Sequence, residues 1–145
     1  MTAALGLDPG TVRVGLAAAD PTGTLASAVA VLSRDRAAEL WERVRREAAA
    51  RDAGVIVVGL PRELDGSEGP AAADARALAA DAARETGLRV ELFDERFTSA
   101  QAERQLIATG TRRARRRSSV DGVAAALMLQ GWLDARRLRT GTSGG

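Results

Sequence analysis

Apolar residues recur along this chain with two different periods, and the switches between them mark out the elements. Residues 3–8 (AALGLD) and 12–19 (VRVGLAAA) are short apolar runs around the turn Pro9-Gly10-Thr11. A weaker run follows at 24–32, after Pro21-Thr22-Gly23. Runs of this length joined by short turns predict a meander of three antiparallel strands. From 35 to 51 the spacing becomes helical, with Leu40, Trp41, Val44 and Ala48 on one face, Asp35 as the expected N-cap and Gly54 expected to end the connection. "GVIVVGLP" (54–61) is a β-branched run without alternation, the pattern of a strand buried on both faces. A loop, "RELDGSEGP" (62–70), leads into a helix over 71–86 that carries Ala75, Leu78, Ala79 and Ala82 on one face and stops at Gly87. "LRVELFDE" (88–95) reads as the fifth strand, 98–108 as a third helix, "GTRRARRRSS" (110–119) as a loop and 120–137 as the last helix. Residues 138–145 are expected to form a disordered tail.

The order βββαβαβαα predicts an α/β fold in one domain over residues 1–137. Its mixed five-stranded sheet has three antiparallel strands followed by two parallel ones, flanked by helices. A chain of 145 residues is long enough to bury a substantial core, and 46% hydrophobic with 28% charged residues is the balance of a globular protein. No basic, apolar leader opens the chain and no apolar run approaches the roughly 20 residues that span a bilayer, so a cytoplasmic protein without membrane contact is expected.

Composition removes whole classes of chemistry. Cysteine and histidine are absent, which excludes disulfides, thiol nucleophiles, Cys/His zinc sites and every Ser-His-Asp mechanism. Carboxylates, hydroxyls, arginines and backbone remain, and hard oxygen ligands of that kind suit Mg²⁺ or Mn²⁺. Net charge is only +2, yet it is unevenly spread. Residues 1–111 carry 13 arginines against 17 acids, net −4; residues 112–145 carry 8 against 2, net +6. A basic C-terminal third points to a nucleic-acid partner.

Three acids stand out by position, each with a plain alternative. Asp8 precedes Pro-Gly, a common turn sequence, yet it alternates with Ala4 and Gly6 on a strand face stripped of bulk, which leaves room for a ligand. Asp94 and Glu95 end the fifth strand, at the edge where parallel sheets bind ligands, and either also fits a solvated strand end. Alternation groups Asp94 with Val90 and Leu92, and Glu95 with Glu91 and Phe93, without deciding which of the two enters a site. Asp121 suits the dipole of the last helix, but it shares a stripe with Ala124, Ala125, Met128 and Trp132, the face that should be buried. If the three elements converge, the carboxylates repel one another unless a divalent cation sits among them, as in two-metal phosphodiester hydrolysis. Directly before Asp121, "RRARRR" holds Arg112, Arg113, Arg115, Arg116 and Arg117, a run dense enough to read as a phosphate-binding segment rather than a solvated face. Arg13, the lone arginine after the first turn, joins these nucleic-acid candidates. Two Phe and two Trp are too few for extended base stacking, so recognition should follow shape and backbone.

"LGLDPGTVRVGLA", "VVGLPRELDGSEGP", "DERFTS" and "VDGVAAALMLQGWLD" together resemble the YqgF family. These are bacterial Holliday-junction-resolvase-like proteins described as candidate pre-16S rRNA nucleases. The likeness covers about residues 3–136, with four motifs in order. It implies a ribonuclease H-like fold, Asp8, Glu95 and Asp121 as catalytic, metal-holding acids, and Glu95 rather than Asp94 as the functional member of that pair. It also implies that "LDGSEGP" borders the site, with Arg62 and Ser67 as substrate contacts. Related junction resolvases carry a second acid on the last helix where this chain has Ala124.

The reading that results is a Mg²⁺- or Mn²⁺-dependent nuclease acting on structured nucleic acid. The resemblance directs it to the 5′ end of pre-16S rRNA; branched DNA in junction resolution or repair is the alternative substrate, and a homodimer is compatible with either. A non-catalytic RNA-binding assembly factor is a rival from another class. So is a nucleotide-binding enzyme, because Asp-Pro-Gly-Thr also resembles the phosphate loop of sugar kinases and actin-like ATPases, although those need two such domains.

Overall fold

A computed structural model of the chain describes residues 3–63, 65–94 and 117–144, with side chains in the last segment described over 122–138. Strands β1 (Ala3–Pro9), β2 (Arg13–Ala19) and β3 (Ala26–Ser33) form the meander. Helix α1 (Ala37–Arg51) leads to β4 (Ala53–Leu60), α2 (Pro70–Thr86) leads to β5 (Arg89–Asp94), and α3 (Arg117–Gly144) is the last described element. The sheet runs β3-β2-β1-β4-β5. β1 and β3 are antiparallel to β2, whereas β4 is parallel to both β1 and β5. This is the mixed sheet expected from the patterning.

The two faces of the sheet are unlike. Leu5 and Leu7 of β1, Val14 and Leu16 of β2, and Ile56 and Val58 of β4 pack against Leu40, Trp41 and Val44 of α1 and Ala75, Leu78 and Ala82 of α2. Both helices lie on this face, as the usual right-handed connection requires of two crossovers that step in the same direction. The opposite face is built from small residues, Ala4, Ala17 and Ala19, with Val55 and Val57, and α3 covers it with Ala125, Met128, Leu129, Trp132 and Leu133. Small residues let the helix come close. A Cβ placed on Gly6 would lie 3.0 Å from the Leu129 Cβ and 3.3 Å from the Met128 Cε. The room foreseen for a ligand beside Ala4 and Gly6 is therefore occupied by α3, and only the Asp8 end of that face remains for chemistry.

Polar contacts fix where α3 lies along the sheet. The Gln130 side chain donates to the Thr24 carbonyl (2.9 Å) and accepts from the Ala26 N–H (2.9 Å), which ties α3 to the start of the edge strand β3. Across the sheet, the Trp132 indole N–H donates to Glu91 Oε1 of β5 at 3.2 Å.

Several boundaries differ from expectation for local reasons. Asp35 is not the N-cap of α1: Arg36 holds that position, without a side-chain cap, because the Arg36 N–H turns back to the Ser33 carbonyl and places Asp35 inside the turn. Asp52, in the left-handed region (φ 54°), ends α1 in place of Gly54, which lies within β4. Aspartate is one of the few residues that adopts this conformation at small cost. The helix foreseen at 98–108 and residues 110–116 of the expected loop lie outside the described residues. Helix α3 starts at Arg117, inside that loop, and its backbone runs to Gly144 rather than ending at Arg137. Extending a helix that is already packed adds a hydrogen bond per residue without a new nucleation step. Among the described residues no helix is long and apolar enough to cross a membrane.

The close approach at Gly6 can be tested directly. Gly6→Val adds three carbons where Leu129 already stands, so it should destabilise the protein by about 1–3 kcal/mol, the usual cost of overpacking. Thermal unfolding should show a midpoint several degrees lower; an unchanged midpoint would mean that α3 does not rest on β1.

Candidate active site

β1, β4 and β5 are parallel, so their C-terminal ends share one edge of the sheet, the edge where such folds place ligands. Asp8, Arg62 and Asp94 all come from those ends. Asp8 is 2% exposed and is the one buried charged residue in the described core. Its burial follows from position: β1 is the central strand, covered by helices on both faces. By strand alternation Asp8 shares the α3 face with Ala4 and Gly6.

The start of α3 lies over the same row of the sheet. Asp8 pairs with Gly15, and Gly15 pairs with Val31. A Cβ on Gly122 would lie 3.6 Å from Val31 Cγ2 and 3.5 Å from the Ala28 Cβ. With neighbouring strands about 4.8 Å apart, Asp8 is roughly 10 Å from Val31, across a glycine that puts no side chain between them. The α3 backbone at Asp121, one residue before Gly122, is thus brought over the Asp8 row; the Asp121 side chain lies outside the described ones. Glu95 directly follows β5 and is also outside the described residues. Of the three candidate acids, only Asp8 is described in full, and among the described residues no group of three acids could hold a metal ion.

The two faces of β5 are now assigned. Val90 and Leu92 pack with the α1/α2 core, Phe93 packs with the α3 core, and Glu91 accepts the Trp132 bond. Odd positions of β5 therefore face α3, as Asp8 does. Asp94, an even position, has a carboxylate 3.7 Å from Arg62 Nη1.

Arg62 and Ser67, expected as substrate contacts, sit in the loop between β4 and α2. Arg62 is flanked by Asp94 and by Glu68, whose Oε2 is 3.3 Å from Nη2. Glu68 in turn holds Arg76 of α2 through two bonds of 2.8 and 2.7 Å. Those bonds to Arg76, reinforced by the charges of Arg76 and Arg62, keep the Glu68 carboxyl below its ordinary range. Ser67 is exposed; its N–H bonds Asp65 Oδ1 at 2.9 Å, and its carbonyl accepts from the Glu63 N–H at 2.9 Å. The described residues of the loop are thus tied to one another by their own contacts. Arg13 opens β2 half-buried, with its carbonyl accepting the Gly10 N–H at 2.8 Å. Arg112, Arg113, Arg115 and Arg116 lie outside the described residues, and Arg117 is the first residue of α3, its side chain not among those described.

Sequence reasoning missed Arg34 and Asp74. The Arg34 guanidinium binds Asp74 through both carboxylate oxygens, at 2.6 and 2.9 Å. That pairing raises the Arg34 pKa and lowers that of Asp74. No local signal reveals a pair 40 residues apart, because neither residue belongs to a motif.

Comparison with known proteins agrees with this architecture. The model of a family described as "RuvX: Holliday junction resolvase" matches residues 2–135. A protein of an Anaeromyxobacter species named "Putative pre-16S rRNA nuclease" is 46% identical over 133 residues, covering 91% of this chain and 96% of its own. A Myxococcus xanthus protein of the same name is 40% identical over 133 residues, covering 92% and 88%. Among solved structures, Thermus thermophilus RuvC superposes with a TM-score of 0.56 in complex with a Holliday junction substrate and 0.54 in a second structure. At 18% identity, covering 94% of this chain and 96% of RuvC, that likeness concerns the fold, which is ribonuclease H-like.

The Arg34–Asp74 pair predicts a pH dependence of stability. The carboxyl pKa is lowered on folding, so its contribution is complete above the unfolded value of 3.8 and disappears as pH falls through the folded value below it. Asp74→Asn should therefore melt below wild type at neutral pH, with the gap closing only below about pH 4. Melting curves of both proteins from pH 7 to 2.5 check this, and a gap unaffected by acid would assign the effect to shape rather than charge.

Proposed function

The chain belongs to the family described as RuvX Holliday junction resolvases, and from that premise we propose that it is a nuclease hydrolysing phosphodiester bonds at the Asp8 edge of its sheet. The finer reading is a divalent-metal-dependent enzyme of the bacterial cytoplasm that acts on structured RNA, the precursor of 16S rRNA. The names of relatives 40–46% identical support that substrate. The observation that carries the reading is Asp8: a carboxylate 2% exposed at the end of the central strand, in the sheet row that the start of α3 overlies.

The donors suit a hard cation. Asp8 brings a buried carboxylate to a sheet edge, and a chain with neither His nor Cys offers only oxygen ligands. Asp8, Glu95 and Asp121 are the residues that would hold Mg²⁺ or Mn²⁺. When bound, the ion would polarise the scissile phosphate and lower the pKa of an attacking water. Alternation along β5 supports Glu95 over Asp94: Glu91 and Phe93 face α3, and 95 is the next position in that series. Asp94 is engaged with Arg62 instead.

The remaining residues bind and orient. The arginine run from Arg112 to Arg117 precedes Asp121 in the chain and would neutralise backbone phosphates next to the reacting one. Arg62, fixed between Glu68 and Asp94, would contribute positive charge to the same edge, beside Ser67. Arg13, at the end of the first turn, flanks the site on its other side. Ala124, which replaces the second helix acid of junction resolvases, is 1% exposed against the sheet, so three acids remain and RNA processing is favoured over junction cutting.

Two experiments test the reading. Asp8→Asn, Glu95→Gln and Asp121→Asn should each reduce Mn²⁺-dependent cleavage of a structured pre-rRNA fragment roughly 100-fold or more while leaving RNA affinity close to wild type. Mn²⁺ should also raise the melting temperature of wild type and not of Asp8→Asn, because an ion that binds only the folded site favours folding. Wild-type cleavage by any of the three variants removes that residue from the site, and a wild-type protein that binds RNA without cutting it would make the chain an assembly factor.

Replacing all five arginines of 112–117 with alanine should flatten the slope of log K against log salt by up to roughly 3.5 units for single-stranded RNA, at about 0.7 per phosphate contact. An unchanged slope would mean that the run faces solvent.

A further inference from the structure

The backbone that carries Asp8 is held from behind. Asp8 and Pro9 end β1, and the turn from Gly10 to Arg13 closes with the Gly10 N–H donating to the Arg13 carbonyl at 2.8 Å. One residue, just past the end of β3, then holds this turn at two points. The Arg34 backbone N–H donates to the Val12 carbonyl at 3.0 Å, and Arg34 Nη1 donates to the Gly10 carbonyl at 2.7 Å. The same guanidinium forks onto both oxygens of Asp74, on α2. A planar guanidinium bound at three acceptors has little freedom left.

The geometry points to a positioning role: we propose that Arg34, oriented by Asp74, fixes the Gly10 carbonyl and so sets where β1 presents the Asp8 carboxylate. The inference rests on Asp8 as a site residue. It goes further by assigning a function to two residues that touch neither metal nor substrate. Helix α2 lies on the face of the sheet opposite α3, so the clamp acts from the side away from the chemistry. That arrangement suits a site whose front must stay open to a nucleic-acid backbone. Arg34 is only about a quarter exposed, so water competes weakly for the guanidinium. Lysine could reach one acceptor but not all three, whereas Asp74→Asn keeps the shape of its partner and removes the charge.

The test uses the full chain as Arg34→Gln, Arg34→Lys and Asp74→Asn, with two independent readouts taken well below the melting temperature. Amide hydrogen exchange reports the turn without reference to metal or cleavage. Protection of the Gly10 N–H should fall about tenfold in Arg34→Gln, with Arg34→Lys and Asp74→Asn in between. Mn²⁺ titration followed by electron paramagnetic resonance reports Asp8: affinity should weaken roughly tenfold in Arg34→Gln and recover partly in Arg34→Lys, as for other groups that orient a ligand from outside the coordination shell. Unchanged protection at Gly10 overturns the clamp. Lost protection with wild-type Mn²⁺ affinity overturns the link to Asp8 and leaves Arg34 a stabilising residue. If wild type itself takes up no Mn²⁺, the metal reading falls, and exchange alone then decides whether the clamp holds the turn.

Discussion

Helix α3 rests on the small-residue face of β1, and most of what is distinctive in this protein depends on that contact. A glycine at position 6, with alanines at 4 and 17, lets Leu129 and Met128 occupy the space that a larger side chain on the strand would fill. Close packing of this kind has little tolerance for extra volume, so it fixes the height of the helix above the sheet. The Gln130 amide fixes its position along the strands by bonding both the Thr24 carbonyl and the Ala26 N–H. Together they deliver the N-terminal end of α3 over the row that contains Asp8, Gly15 and Val31.

The same contact explains why a carboxylate can be buried at the end of a strand. Asp8 lies where the apolar cover of β1 runs out but before the chain turns into solvent at Thr11 and Val12. Burying a charged group in that position is unfavourable unless its surroundings are polar or cationic. In the proposed nuclease this cost falls on the group whose charge the reaction uses.

Arg34 joins Asp74 of α2 to the turn that follows Asp8, and Arg76 of α2 holds Glu68 in the loop after β4. Both pairs tie α2 to the edge of the sheet that carries Asp8, so α2 braces that edge as well as covering the core. The proposed phosphate-binding run, Arg112 to Arg117, lies in the C-terminal third of the chain, separate in sequence from the bracing pairs. The two sets also differ in chemistry. Bracing arginines are bonded bidentately to carboxylates, whereas a phosphate-binding run has to exchange ions with salt and water.

The sequence alone determined the described elements and their order, because hydrophobic period and turn residues are local properties. The stripes Leu40-Trp41-Val44-Ala48 and Ala75-Leu78-Ala79-Ala82, the stop at Gly87 and the buried character of β4 are all read from neighbours a few positions apart. Asp8 was legible as a candidate in the same way, from a strand, a turn and the small residues beside it. Only the tertiary structure decided what those small residues are for: they admit α3, not a ligand, since volume in a core is shared between elements far apart in the chain. The orientation of β5 was decided there too. Alternation defines two faces, but which one is the α3 face depends on the Trp132–Glu91 bond and the packing of Phe93. The hold of Arg34 on Asp74 and Gly10 was invisible beforehand for the same reason, because a pairing of ordinary residues 40 and 24 positions apart has no local signature.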